Sequence, residues 1–378
     1  MLILKMGEIT RMDAHDILKT LQAKSNVLLM GAPGTGKSKL MNDVARIFES
    51  GVGINPIPSH HFGAAIPIPA VPETNAIGTL PMLQKPHRKV FRTTLHQNSK
   101  YRDFLTGITP RFDGGEGYQI SEGILYRANE FARQRDIATL LIIDELNRGP
   151  AIEVFGGSIV AIEADKRLND DNTRADSTQF FEIISPETGS YVEYAFSPHL
   201  YILAAMNQAD VSVAPLDVAF MRRWMCLPLQ PSYGPVYERF GIQETAGIPP
   251  ENPSAQDVYR VAVKALEAIN KKIVIGRGAE YQLGQGVFLS TAPQGDTLND
   301  ALDFVTEVWS MIYAHVEELF FGEPNAMAYV LNADHSGSPY SLQEAAFAGE
   351  TKFVLSHANI NRDTVYGLYC SLLEEDNP

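Results

Sequence analysis

Cysteine is nearly absent. The 378 residues contain only Cys226 and Cys370, and neither belongs to a C-x-x-C pair. That argues against a disulfide framework or a structural zinc site and fits a reducing compartment. Long apolar runs are missing too: no segment reaches the roughly 18 residues that cross a bilayer. The N-terminus carries no long apolar stretch that would read as a leader. The sequence therefore predicts a cytoplasmic protein with no membrane contact. Positive charge is in deficit, with 31 Lys and Arg against 45 Asp and Glu and a net charge of −14. A broad basic surface that holds DNA by itself is not expected, although a narrow basic lining is compatible with this balance. No internal repeat is visible. The hydrophobic fraction of 45% and charged fraction of 20% are those of a soluble globular chain, long enough for two or three units.

What is present is a phosphate loop. Gly31, Ala32, Pro33, Gly34, Thr35, Gly36, Lys37 and Ser38 satisfy every fixed position of G-x-x-x-x-G-K-[ST]. The apolar run Asn26-Val27-Leu28-Leu29-Met30 precedes it, and Leu40, Val44, Ile47 and Phe48 follow at helical spacing. That strand–loop–helix context is what the pattern requires. Glycines let backbone N–H groups converge on phosphate oxygens, and the helix N-terminus adds partial positive charge. Lys37 can reach the β- and γ-phosphates, and the Ser38 hydroxyl can ligate Mg²⁺. The chain is expected to bind a nucleoside triphosphate.

Residues 1–25 read as a leading helix. From 51 to 88 seven prolines interleave with Gly and Ala, which predicts a loop insertion. Order returns with a strand at 89–95, a helix over 121–135 and a buried strand at 139–143. Residues 151–165 look helical, 166–195 look like a polar hairpin or loop region, and 200–206 form a further buried strand. A Pro-rich stretch past 232 marks a boundary, after which 254–272 and 297–321 read as helices. The expected fold is α/β: a parallel sheet between helices over 26–232, then a smaller, mostly helical domain over 233–378.

Leu140-Leu141-Ile142-Ile143 ends in Asp144-Glu145. In phosphoryl transfer the first carboxylate of such a pair holds the Mg²⁺ shell, and the second orients and deprotonates the attacking water. Asp144 is accordingly expected on the metal with Ser38, and Glu145 on the water. A third strand ends at Asn207, whose carboxamide can hydrogen-bond the γ-phosphate or the water. Arg222 and Arg223 close a short helical run; either could be an arginine finger that reaches a neighbouring subunit's γ-phosphate, or a complement to its own helix dipole.

Together these residues resemble the McrB-type AAA+ NTPases, motor subunits of modification-dependent restriction systems. Segment 142–167 resembles their Walker B region, with its D-E-[IL]-N-R and its later E-x-D-K-R. Leu95–Phe104 with Gly107 and Pro110 is similar to H-Q-S-Y-x-Y-x-D-F…G…P, and Ser121–Leu125 to the D-G-I/L-F stretch. Met206–Asp210 matches M-N-x-A-D, Leu216–Trp224 parallels D-x-A-x-x-R-R-F, and Gln282–Phe288 is similar to I-G-H-S-Y-F of the lid. The resemblance covers about 26–290. It implies an AAA+ P-loop core with a helical C-terminal lid and a hexameric ring that hydrolyses ATP or GTP at subunit interfaces with Mg²⁺. It also implies a McrC-like nuclease or effector partner, with DNA engaged through the ring pore or the partner. Asn147 and Arg148 become candidates for the composite site.

Three departures bear on specificity. No module for reading modified DNA is evident, Val211-Ser212 stand where the family often has Arg-Ser, and Gln285 replaces the lid histidine. No guanine-reading N-K-x-D motif is visible, so base preference is not carried across. A MoxR-like chaperone is the alternative, although such relatives generally lack the Asn-Arg-Gly and H-Q…Y…D-F stretches. His60-His61 form no metal pattern, the aromatic residues of 304–321 read as lid core, and Glu374-Glu375-Asp376 reads as a solvated tail.

Overall fold

The computed structural model describes residues 12–50, 80–111, 117–209, 216–243, 249–356 and 359–374. Most of the expected Pro-rich insertion (51–79), His60-His61, Asp210–Ser212, the first eleven residues and Glu375-Asp376 lie outside them. The chain divides into two units. One comprises residues 1–30 and 37–229, and the other residues 31–36 and 230–378.

The first unit opens with helix α1 (Ala14–Lys24), whose start is fixed by Asp13. The Asp13 carboxylate accepts from the backbone N–H of His15 and Asp16, and Asp16 reciprocates to the N–H of Asp13. Strand β1 (Asn26–Gly31) and helix α2 (Lys37–Ser50) flank the phosphate loop. A short helix α3 (Pro81–Gln84) precedes strand β2 (His87–Thr94), so order begins before residue 88. Then come α4 (Tyr101–Phe104), the hairpin β3 (Thr106–Pro110) and β4 (Tyr118–Glu122), α5 (Ile124–Ala132) and β5 (Ile137–Asp144). Helix α6 (Ala151–Phe155), the hairpin β6 (Phe181–Ile184) and β7 (Tyr191–Tyr194), β8 (Leu200–Asn207), α7 (Val218–Met221) and β9 (Met225–Leu229) complete it.

Five strands form one sheet in the order β2-β5-β8-β1-β9, with β2, β5 and β8 mutually parallel. The apolar runs are explained by burial on both faces. Leu28, Leu141, Ile143, Ile202 and Ala204 point into one core, whereas Val27, Leu29, Leu140, Ile142, Leu203 and Ala205 point into the other. Asp144 and Asn207 end adjacent strands, at the edge where α/β sheets carry ligands.

Two expected helices are shorter than their periodicity predicts. Ser121 and Glu122 pair with Gly107 and Thr106 in the β3–β4 hairpin, and the helix begins only after Gly123. A Cβ on Gly123 would stand 2.2 Å from the Phe104 carbonyl carbon, so the turn depends on that close approach. Over 151–165 the α-helix stops at Phe155 and continues as 3₁₀ turns. Gly156 has φ +50°, and a Cβ there would meet the Tyr101 ring at 2.7 Å.

The second unit is mostly helical: α8 (Gly234–Phe240), α9 (Ala255–Gly276), α10 (Leu298–Leu319), α11 (Pro324–Val330) and α12 (Val365–Ser371). Ser254 with Asp257 and Thr297 with Asp300 form capping boxes on the two long helices. Their apolar stripes, including Leu266, Ile269, Val305 and Ile312, share one core with Trp309 and Phe304. The hairpin β10 (Leu342–Phe347) and β11 (Glu350–Leu355), unforeseen in the sequence, turns at Ala348-Gly349, both with positive φ. Most of its residues are exposed, so it lacks the buried alternation by which strands are read.

Candidate functional site

Strand β5 delivers Asp144 to a cleft of about 240 Å³ that Ser38, at the start of α2, also lines. Asn42, Arg92, Thr93 and Thr94 form the remaining polar wall. A hydroxyl and a carboxylate facing one cleft are hard oxygen donors of the kind Mg²⁺ takes, with its other positions left to phosphate and water. The pair expected to hold the metal is thus brought together.

Glu145 follows in a left-handed backbone conformation, φ 52° and ψ 48°. Few residues other than glycine, asparagine and aspartate adopt it, and at functional sites it marks strain held by the surroundings. Here the Asp144 carboxylate accepts from the Glu145 N–H at 3.0 Å, and the Arg148 N–H donates to the Glu145 carbonyl at 2.9 Å. The Glu145 carboxylate also lies 3.1 Å from the Arg148 guanidinium. Arg148 is therefore engaged with the expected water-activating residue of its own chain. Asn147 is buried; its Nδ2 donates to the Asn207 carbonyl at 2.8 Å, while its Oδ1 is buried without a hydrogen-bond partner.

The Asn207 side chain faces Lys37. The ammonium donates to its Oδ1 at 2.9 Å, so Asn207 joins the phosphate-loop lysine to the turn that follows the acidic pair. Burial lowers the Lys37 ammonium to about 8, against the opposing pull of Glu145 and then Asp144. A cation kept partly dehydrated beside two carboxylates is prepared to exchange them for phosphate.

Within the second unit, the loop Gly31–Gly36 packs against residues 284–286. Gly34 and Gly36 have φ of +75° and +91°, open to glycine alone without strain. The N–H groups of Gly284 and Gly286 donate to the carbonyls of Pro33 and Gly34, each at 2.8 Å. The Gln285 carboxamide donates to the Thr35 carbonyl at 3.1 Å and accepts from the Ser232 N–H at 3.0 Å. Gln285, whose departure from the family histidine left its role open, therefore holds the phosphate-loop backbone. With three loop carbonyls tied in this way, the repulsive ends of the peptide dipoles are occupied.

The two arginines that the sequence could not separate differ sharply. Arg222 is exposed. The side chain of Arg223 is only 7% exposed, with its Nε 3.0 Å from Glu163 Oε1 and its Nη1 on the Ala219 carbonyl.

Sequence reasoning missed Arg92, which stands in the cleft and donates to Asn42 at 2.7 Å. It also missed the partners of Arg223. The later E-x-D-K-R, which begins at Glu163, was the signal available. A larger hollow of about 380 Å³ lies at Lys100, Tyr101, Thr106, Glu182 and Tyr191; none of the site residues lines it.

Residues 80–224 match the AAA domain family of the dynein-related subfamily. The chain is 24% identical over 316 residues to the type IV methyl-directed restriction enzyme EcoKMcrB subunit of Escherichia coli K12, covering 82% of this chain and 56% of that protein. It is 28% identical over 214 residues to the type II restriction enzyme BsuMI component YdiS of Bacillus subtilis 168, covering 53% of this chain and 55% of that one. The chain thus spans little more than half the length of either relative. Among solved structures, Caenorhabditis elegans PCH-2 aligns over 76% of this chain and 62% of its own, at 15% identity and a TM-score of 0.31, a likeness too remote to bear on the argument. In its strand order, its phosphate loop and these relatives, the chain is similar to the McrB-type AAA+ proteins.

Proposed function

We propose that this chain hydrolyses ATP or GTP and serves as the ring-forming motor subunit of a McrBC-like restriction or anti-phage defence assembly in the cytoplasm. One observation carries the chemistry: Lys37, Asn207 and Asn147 form a continuous hydrogen-bonded chain beside the Asp144-Glu145 pair. A binding-only protein has no need of a positioned carboxylate at 145.

In this reading the N–H groups of the phosphate loop and the Lys37 ammonium hold the β- and γ-phosphates. Ser38 and Asp144 would hold a magnesium ion, which supplies neutralising charge on the phosphate oxygens when bound. Glu145 orients a water and takes its proton as the water oxygen bonds to the γ-phosphorus. The bond to the bridging oxygen then breaks, giving the diphosphate and inorganic phosphate. Asn207 fixes Lys37 and can donate to the γ-phosphate or the water. Arg222, exposed and without an ion-pair partner among the described residues, is the finger for a neighbouring copy. Arg148 and Asn147 complete the composite site at that interface.

The ring, expected to be hexameric, is supported by the exposed Arg222, which has no phosphate of its own chain to serve in this scheme. A nuclease or effector partner of McrC type is supported by the names of the relatives, each a part of a restriction enzyme. DNA would then be engaged through the ring or through that partner. Identification of the protein that co-purifies with the native chain tests the reading. A nuclease subunit supports it, whereas an unrelated client protein would favour a MoxR-like remodelling chaperone and overturn the motor role.

A further inference from the structure

Residues Asp217–Trp224 are anchored on one side and open on the other. Phe220 and Trp224 are buried, with ring centroids 5.4 and 6.1 Å from that of Phe155. Val218 is 81% exposed, and Arg222, four residues on, is exposed beside it. Between these faces Arg223 turns inward to Glu163. Its backbone is held as well: Asn26 Nδ2 donates to the Arg223 carbonyl at 3.3 Å and to the Ile162 carbonyl at 2.7 Å.

The orientation of Asn26 is itself imposed. Arg167 is a fully buried guanidinium, and its Nη2 donates to Asn26 Oδ1 at 2.7 Å. That leaves the Asn26 amide N–H groups only the two carbonyls to face. Arg167 also donates to the carbonyls of Ile162, Ser197 and Leu200. The start of β1, the segment after α6 and the turn that carries both arginines are therefore tied at one point.

We propose that Arg223 is a brace and not a second finger, and that Glu163 and Asn26 are positioning residues that set the reach of Arg222 toward a neighbouring copy's nucleotide. The proposal rests on the reading of Arg222 as acting in trans. Neither Glu163 nor Asn26 meets the nucleotide of its own chain in this scheme. Loss of either should thus impair a copy as a donor of Arg222 and leave it competent as an acceptor. An ordinary stabilising contact would have no such asymmetry, because destabilisation affects a copy in both roles.

Mixed assemblies read this difference. Lys37→Ala removes nucleotide binding but retains the finger, and Arg222→Ala does the reverse, so each alone is inactive and the mixture turns over. Glu163→Gln, close in shape and lacking the charge, is placed first in the Lys37→Ala chain and then in the Arg222→Ala chain. The expected result is a loss of about tenfold or more in the first arrangement and less than about twofold in the second. Asn26→Asp is the second variant: it keeps the acceptor for Arg167 and removes both donors, with the same asymmetry expected. Equal losses in both arrangements, or none in either, would overturn the brace. An inactive mixture of the two parent chains would instead overturn the trans reading of Arg222, and the brace with it.

Discussion

The Lys37 ammonium and the Asn207 carboxamide oxygen meet at 2.9 Å across 170 residues of sequence. The same asparagine accepts through its carbonyl from Asn147, so one residue at the end of β8 governs both the phosphate-loop cation and the turn after the acidic pair. Asn207→Ala removes the Lys37 partner and keeps the backbone acceptor. Turnover is expected to fall about tenfold or more while nucleotide affinity changes less than about threefold, the pattern of an interaction used in the transition state. Steady-state hydrolysis with a parallel nucleotide titration checks this; an affinity loss equal to the rate loss would show that Asn207 serves binding alone.

Glu145→Gln keeps the size and hydrogen-bonding reach of the side chain and removes the base. Hydrolysis should be abolished with nucleotide still bound, as measured by turnover beside equilibrium binding of a labelled nucleotide. Undiminished hydrolysis would remove Glu145 from the role of activating water.

Nucleotide affinity should depend on pH through Lys37. Its ammonium is lowered to about 8 by burial, and phosphate binds the protonated form. Affinity is therefore full below pH 8 and falls as pH rises through 8, by at most about tenfold per unit. Stability of the nucleotide-free protein moves the other way. A buried lysine with a lowered value binds fewer protons folded than unfolded between about 8 and the usual lysine range near 10.5, so stability rises with pH across that window. Lys37→Met should flatten the stability profile, and an unchanged slope in that variant would assign the titration elsewhere.

Two glycine substitutions should act in opposite directions. A Cβ on Gly284 would stand 2.2 Å from the Gly34 carbonyl carbon, with backbone on both sides of the contact. Gly284→Ala should displace the phosphate loop and weaken nucleotide binding about tenfold or more. Gly367 lies within α12 with open space at its Cβ position, so Gly367→Ala should stabilise the protein by roughly 0.5–1 kcal/mol without altering binding. Denaturant titration and nucleotide affinity on both variants check the contrast.

Much of this site was legible in the sequence because it depends on local order. The phosphate loop, Asp144-Glu145 and Asn207 each stand at the end of an apolar run, and the runs read as buried strands since both faces of the sheet are covered. The shortened helices were not legible: the periodicity of 121–135 and 151–165 is helical, and Gly123 and Gly156 break it through approaches to Phe104 and Tyr101 that only the tertiary fold creates. Arg222 and Arg223 were inseparable for the same reason. They differ in a partner, Glu163, that lies 60 positions away. The β10–β11 hairpin escaped because it has little buried side to leave a period-2 pattern.

Glu145 is held with φ at 52°, a conformation that costs a side-chained residue roughly 1–2 kcal/mol and that asparagine tolerates better. The fold would accordingly prefer another residue at the very position where the proposed hydrolysis needs this one. Glu145→Asn should melt at a higher temperature than the unaltered chain while turning nothing over. Screening for thermal robustness alone would then enrich variants at 145 that lack the proposed activity, and a search for a more durable chain has to score hydrolysis beside melting.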